Sequence, residues 1–158
     1  MLTVNNLLSF LTEVKTAIPQ IKHSDVIMSD KKFVSKLQAL DALKNTVIFA
    51  VLPDHGKDGK QDASMWGNYM QFFIFDKTTE SVMLESDELT LYNKVQGIAK
   101  DFVDRIINTK SGDNRDEGGF NLDCGMFDFF EEDSLQFEAF WDGAQCRGYE
   151  LNFFLKTK

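Results

Sequence analysis

Cysteine, histidine and proline are nearly absent, with two of each in 158 residues. The two cysteines, Cys124 and Cys146, have no CxxC spacing and are too few for a disulfide scaffold. In a reducing compartment they stay thiols, so both read as small core or strand residues. Two histidines, His23 and His55, do not make the compact cluster that a transition metal wants. No apolar run approaches the roughly 20 residues of a membrane-spanning helix. The opening MLTVNNLLSFLTEVK lacks the basic start of a signal peptide. The expectation is a soluble protein, cytoplasmic in the cell that makes it, with no membrane partner.

Positive charge is also scarce, and unevenly so. Residues 1–110 hold 14 acids and 13 bases, and residues 111–158 hold 11 acids and 4 bases. The net charge of −8 therefore sits almost wholly in the last third. Such a surface repels phosphate and argues against tight nucleic-acid binding. The same third carries eight of the fifteen phenylalanines: Phe120, Phe127, Phe129, Phe130, Phe137, Phe140, Phe153 and Phe154. These rings fill the chain's own core or face a partner, since aromatics are enriched at interface centres. Phe129, Phe130, Phe140 and Phe154 are the candidate interface residues.

Familiar chemistry is missing as well. Asp54, Asp58 and Asp62 fall four apart, whereas an EF-hand calcium loop needs oxygens at alternate positions, and Asp113, Asp116 and Glu117 miss that pattern too. GKDGK, residues 56–60, fits neither GxxxxGK[ST] nor GxGxxG. No GxSxG elbow and no catalytic cysteine context occur. Glu131, Glu132 and Asp133 are consecutive, the usual mark of a solvated turn or strand edge rather than of a glycosidase pair. No cofactor, metal or catalytic residue is expected. The surviving catalytic reading is a small hydrolase using His55 with Asp54 or Asp58.

What is present is periodicity. Val4, Leu7, Leu8, Leu11, Val14 and Ile18 form one helical stripe that Pro19 ends. SDVIMSD, residues 24–30, is a short strand. DKKFVSKLQALDAL, with Phe33, Leu37, Leu40 and Leu43, is a second helix or a twisted extended segment. TVIFAVL (46–52) and MQFFIF (70–75) are apolar on both faces, as central strands are. Between them Val51–Ala63 reads as a solvated loop, its Gly and Asp suiting turns, with room for a contact role at 53–63. Leu91, Val95, Ile98, Phe102 and Ile106 mark a long helix over about 88–110. SGDNRDEGG is a loop, and GFNLDCGMFDFF and SLQFEAFW follow as strands. Tyr149, Leu151, Phe153 and Leu155 alternate with Glu150, Asn152 and Lys156, which predicts a C-terminal hairpin. Parity places Leu135, Phe137, Leu151 and Phe153 in the core and Phe140 and Phe154 on the opposite face. The sum is one α+β domain over residues 1–158. Its sheet is antiparallel or mixed, with the N-terminal and long helices on one face.

Two stretches, NTVIFAVLPDHGKDGKQDASMWGNYMQFFIFDKTT and GYELNFFLKT, together with the two helices, resemble small proteins encoded in bacterial phages and prophages. The layout is similar to that of tail-terminator and head–tail completion proteins. That resemblance implies a noncatalytic virion-assembly protein. It would form a homo-oligomeric ring, contact phage tail or head proteins, and finish in the virion. No functional residue carries over. An acidic cytoplasmic module that binds another protein is the alternative expectation.

Overall fold

The computed structural model describes residues 2–28, 30–40, 46–58, 65–78, 83–110, 118–121, 126–142 and 146–157. Cys124, Asp62 and residues 111–117, with Asp113, Asp116 and Glu117 among them, lie outside these residues. Helix α1 spans Val4–Ala17 and turns Leu7, Phe10, Leu11 and Val14 inward. It starts with a reciprocal cap. The Asn6 N–H donates to the Thr3 hydroxyl, and the Thr3 N–H donates to the Asn6 side chain, both at 3.2 Å. Two of the helix's unpaired donors are thereby satisfied.

Strand β1 (Ile21–Ile27) begins three residues before the stretch that reads as a strand in the sequence, and residues 30–39 form helix α2 (Asp30–Ala39). The reason for a helix here is topological. β1 pairs with β2 (Thr46–Val51) in parallel. A parallel pair cannot close through a tight turn and needs a crossover, which α2 supplies. β3 (Asp54–Asp58) and β4 (Met65–Lys77) follow, then α3 (Glu85–Lys110) with Glu85, Asp87 and Glu88 in its first turn, where acids suit the helix dipole. The chain ends with β5 (Phe129–Phe130), a 3-10 turn at Glu132–Ser134, β6 (Gln136–Asp142) and β7 (Cys146–Thr157).

Among the described residues the strands form one mixed, seven-stranded sheet. The long strands β4 and β7 are its spine, antiparallel from Trp66↔Thr157 to Lys77↔Cys146. β2 and β3 share the outer edge of β4, and β6 and β5 share the outer edge of β7. The fold is α+β.

Both faces of the sheet carry a core. On one, α1 and α3 bury Ile48, Ala50, Met70, Phe72, Ile74, Leu151, Phe153 and Leu155. Phe10 is the hub, with ring centroids 5.9, 5.8, 5.2 and 5.0 Å from Phe72, Phe102, Phe120 and Phe127. Each such ring contributes roughly 1.5–3 kcal/mol on burial. On the other face α2 covers Val47, Phe49, Phe75 and Cys146, with Phe33, Phe73 and Phe140 beside them.

The N-terminal and long helices share one face, as expected, and the β1–β2 crossover places α2 on the other. Four expectations need correction. Residues 54–58 are a strand rather than loop, since the long β4 offers an unpaired edge to Asp54–Asp58. Residues 119–130 contain only the two-residue β5 among those described; Phe120, Met126 and Phe127 anchor an irregular path by burial. Phe137 is 37% exposed and stacks on Tyr149 at 4.5 Å, because among the described residues β6 is an edge strand, paired with β7 alone. Phe130, a candidate interface residue, is buried in the main core, with its ring 5.0 Å from Phe153.

Candidate protein-binding face

The face under α2 is only half covered. Register and parity arrange its residues in rows across β4, β7 and β6. After the Lys77 and Cys146 row come Phe75, Gly148 and Phe140; the next is Phe73, Glu150 and Glu138; then come Gln71, Asn152 and Gln136. The outermost is Asp54, Tyr69 and Phe154, with β3 in place of β6. The face thus grades from apolar to acidic to amide to aromatic.

The apolar end belongs to α2. Phe140 lies 5.8 Å from Phe33, 4.9 Å from Phe73 and 6.1 Å from Phe75. This candidate interface residue is therefore covered by the chain's own second helix. Lys36 of α2 pairs with Asp25 and donates to the Val26 carbonyl at 2.8 Å. Lys77 of β4 donates to the Leu37 and Leu40 carbonyls at the helix's C-terminal end. These bonds hold α2 over the inner rows.

The outer rows are open. Phe154 is 48% exposed and its ring is 5.2 Å from that of Tyr69. Beyond them a groove of about 600 Å³ is lined by Asp54, His55, Gly67, Glu131 and Lys156, among others. Glu131 and Lys156 form an ion pair at 2.8 Å across it. The Phe154 N–H donates to the Ser134 hydroxyl at 2.8 Å, which fixes the backbone under the exposed ring. Phe129, also a candidate interface residue, is 40% exposed on β5, opposite Lys156 in register.

Electrostatics concentrate on Tyr69. Burial raises its phenol above the ordinary 10.0, and the Glu150 and then the Glu138 carboxylates add to the rise. Glu150 is itself fixed: its Oε1 accepts from Gln71 at 2.7 Å and from Asn152 at 2.8 Å.

His55 sits at the groove but is committed elsewhere. Its Nδ1 is 2.8 Å from Asn68 Oδ1, which also accepts the Leu2 N–H at 3.1 Å. The Asn68 amide nitrogen donates to the Leu155 carbonyl at 2.8 Å and the Trp66 carbonyl at 3.1 Å. That orientation makes Asn68 Oδ1 an acceptor only, so Nδ1 carries the imidazole proton. Alternate positions along a strand face opposite ways, so β3 sets position 55 apart from 54 and 58. No serine, cysteine or threonine is among the described residues lining the groove. Glu132 and Asp133 sit on the 3-10 turn that follows Glu131. Among the described residues no three His, Cys, Asp or Glu side chains are grouped as metal ligands, and no helix is long and apolar enough to cross a membrane.

Sequence reasoning missed Tyr69, Gln71, Glu138, Glu150 and Asn152 as a group. Parity of β7 was enough to put Glu150, Asn152 and Phe154 together. Pairing β7 with β4 was the missing step, and only the fold supplies it. No protein-family model, curated protein or solved structure matches this chain.

Proposed function

We propose that this chain is a noncatalytic assembly protein that works by binding another protein with the open half of its sheet. The Tyr69–Phe154 pair carries this reading. A phenylalanine half in water beside a second ring is costly to leave uncovered, and exposed apolar patches rimmed by polar groups mark protein contacts. Aromatic anchors of this kind dominate binding energy where a partner buries them. The phage tail or neck role that the layout resembles is the specific form of the proposal, with contacts to virion proteins and to further copies of the chain. Sedimentation velocity of the chain, alone and mixed with tail and neck proteins of a phage that encodes it, tests the reading. A complex that Phe154→Asp disrupts is the expected result. A chain that stays monomeric in every mixture overturns it.

A further inference from the structure

On the same face, β6 and β7 place Glu138 directly opposite Glu150. Like charges at opposed positions of an antiparallel pair repel, and sheets normally avoid them. No basic side chain of the described residues pairs with either carboxylate. Amides relieve Glu150 in part, because Gln71 and Asn152 both donate to its Oε1. They bring no positive charge.

A second, independent observation lies beside the pair. Asn152 is only 7% exposed, and its Oδ1 is buried with no hydrogen-bond donor. Its amide nitrogen is spent on Glu150. In register it stands between Gln71 and Gln136, one row from the carboxylates. A buried acceptor without a donor is costly and is rarely kept without a use. The cluster therefore lacks two things: a positive charge and a hydrogen-bond donor.

We propose that Glu138, Glu150 and Asn152 receive an arginine side chain from a basic segment of another protein, which lies across Tyr69 and Phe154. The inference rests on the protein-binding reading of this face and names the chemistry of the partner. A guanidinium brings both missing elements in one planar group with five donors, enough to span two carboxylates and an amide oxygen. It also stacks on aromatic rings, and the Tyr69–Phe154 pair is the adjoining platform. An ammonium supplies charge but no fork, so lysine is the poorer fit. Charge excludes the same face of a second copy, which would set Glu138 and Glu150 against their equivalents.

The probe is a synthetic decapeptide of alternating arginine and valine. Its lysine and citrulline counterparts serve as comparisons, citrulline being the neutral near-isostere of arginine. Binding is read by calorimetric titration and by amide shift mapping on the full chain. The arginine peptide should bind several-fold tighter than the lysine peptide, and the citrulline peptide should not bind. Shifts should cluster on β6, β7 and the Tyr69 end of β4. The double variant E138Q/E150Q should lose about tenfold or more in affinity, as expected when charges facing a bound charge are removed. Asp104→Asn, on α3 and paired with Lys100, should change nothing. Circular dichroism checks that each variant is folded.

Equal binding to E138Q/E150Q, or shifts scattered over the acidic surface, would mean generic attraction and overturns the proposal. Equal binding of the citrulline peptide removes the charge argument but leaves a protein-binding face. Failure of the arginine peptide to bind also overturns the inference; the proposed function is then judged separately by its sedimentation test. Self-association that Phe154→Asp abolishes and the arginine peptide cannot reverse makes a second copy the occupant and sinks the basic-segment assignment.

Discussion

The ammonium of Lys77 donates to the carbonyl oxygen of Leu37 at 2.8 Å and also reaches that of Leu40. One lysine from β4 thus meets two carbonyls at the C-terminal end of α2, that of Leu37 also accepting the Leu40 N–H at 3.3 Å. The cation also lies at the negative end of the helix dipole. Lys77→Met keeps the stem and removes the charge. It should cost about 0.5–2 kcal/mol in a urea titration. Hydrogen exchange should localise the loss to α2 and leave α1 and α3 protected. Uniform loss of protection would show that α2 is not a separable unit.

Gly148 stands between Phe75 and Phe140 for a steric reason. A Cβ there would lie 2.0 Å from the Ile74 carbonyl oxygen and 2.5 Å from the Phe75 Cα. Both are backbone atoms of β4 and cannot step aside as a side chain can. Gly148→Ala should destabilise by at least the ~1–3 kcal/mol typical of overpacking. Since Phe140 is the β6 partner of Gly148, the loss should appear first in the α2 core. A variant as stable as wild type would show that β4 and β7 can separate locally at no cost.

How far the fold was legible depends on how each element is stabilised. α1 and α3 carry their stripes openly, and β7 alternates from Tyr149 to Lys156, so amphipathic patterns against the main core were readable. α2 was ambiguous because Phe33, Leu37 and Leu40 suit a helix or a strand face equally in so short a run. β3 has no apolar residue at all; only the free edge of β4 makes Asp54–Asp58 a strand. The aromatic run at 126–130 reads as a strand, yet Met126, Phe127 and Phe130 are buried individually, without period. Of the four candidate interface rings, parity placed Phe140 and Phe154 on the second face correctly. It could not show that α2 reaches the first and stops short of the second.

Tyr69 reports on the acidic row through its titration. Burial raises its phenol first, then the charges of Glu150 and Glu138. A raised phenol favours the neutral form in the folded chain. Its stabilising contribution is complete below the ordinary tyrosine pKa of about 10 and is lost as the pH climbs through the raised value. Removing both carboxylates in E138Q/E150Q leaves burial alone, so Tyr69 should ionise at lower pH than in wild type. Ultraviolet absorbance of phenolate, differenced against Tyr69→Phe in each background, measures it. An unchanged midpoint would mean that the carboxylate field does not reach the hydroxyl.

Phe153 and Phe154 are neighbours with opposite fates. Phe153 is fully buried, stacked 5.7 Å from Phe72, while Phe154 is 48% exposed. Phe153→Ala should cost ~3–5 kcal/mol, and Leu151→Ala, also fully buried, ~2–5 kcal/mol. Phe154→Asp should leave the fold within about 1 kcal/mol of wild type, as exposed substitutions usually do. Chemical denaturation of all three decides the matter. Should Phe154→Asp unfold the chain as badly as Phe153→Ala, its ring belongs to the core and the binding face loses its anchor.

Glu138→Arg moves stability and binding in opposite directions, which neither a purely structural nor a purely functional role would produce. The substitution replaces a like-charge pair with an opposite-charge pair at the same cross-strand position. Opposed ion pairs on a sheet stabilise modestly, and position 138 is exposed, so the gain should be roughly 0.5 kcal/mol. The new guanidinium also lies within the row that the proposed partner arginine would enter. It should therefore occupy Glu150 from within the chain and weaken the arginine peptide at least as much as Glu138→Gln does. Thermal melts and peptide titration on the same preparation read both effects. A variant that gains stability and still binds the peptide at wild-type affinity would place the basic segment elsewhere on the molecule.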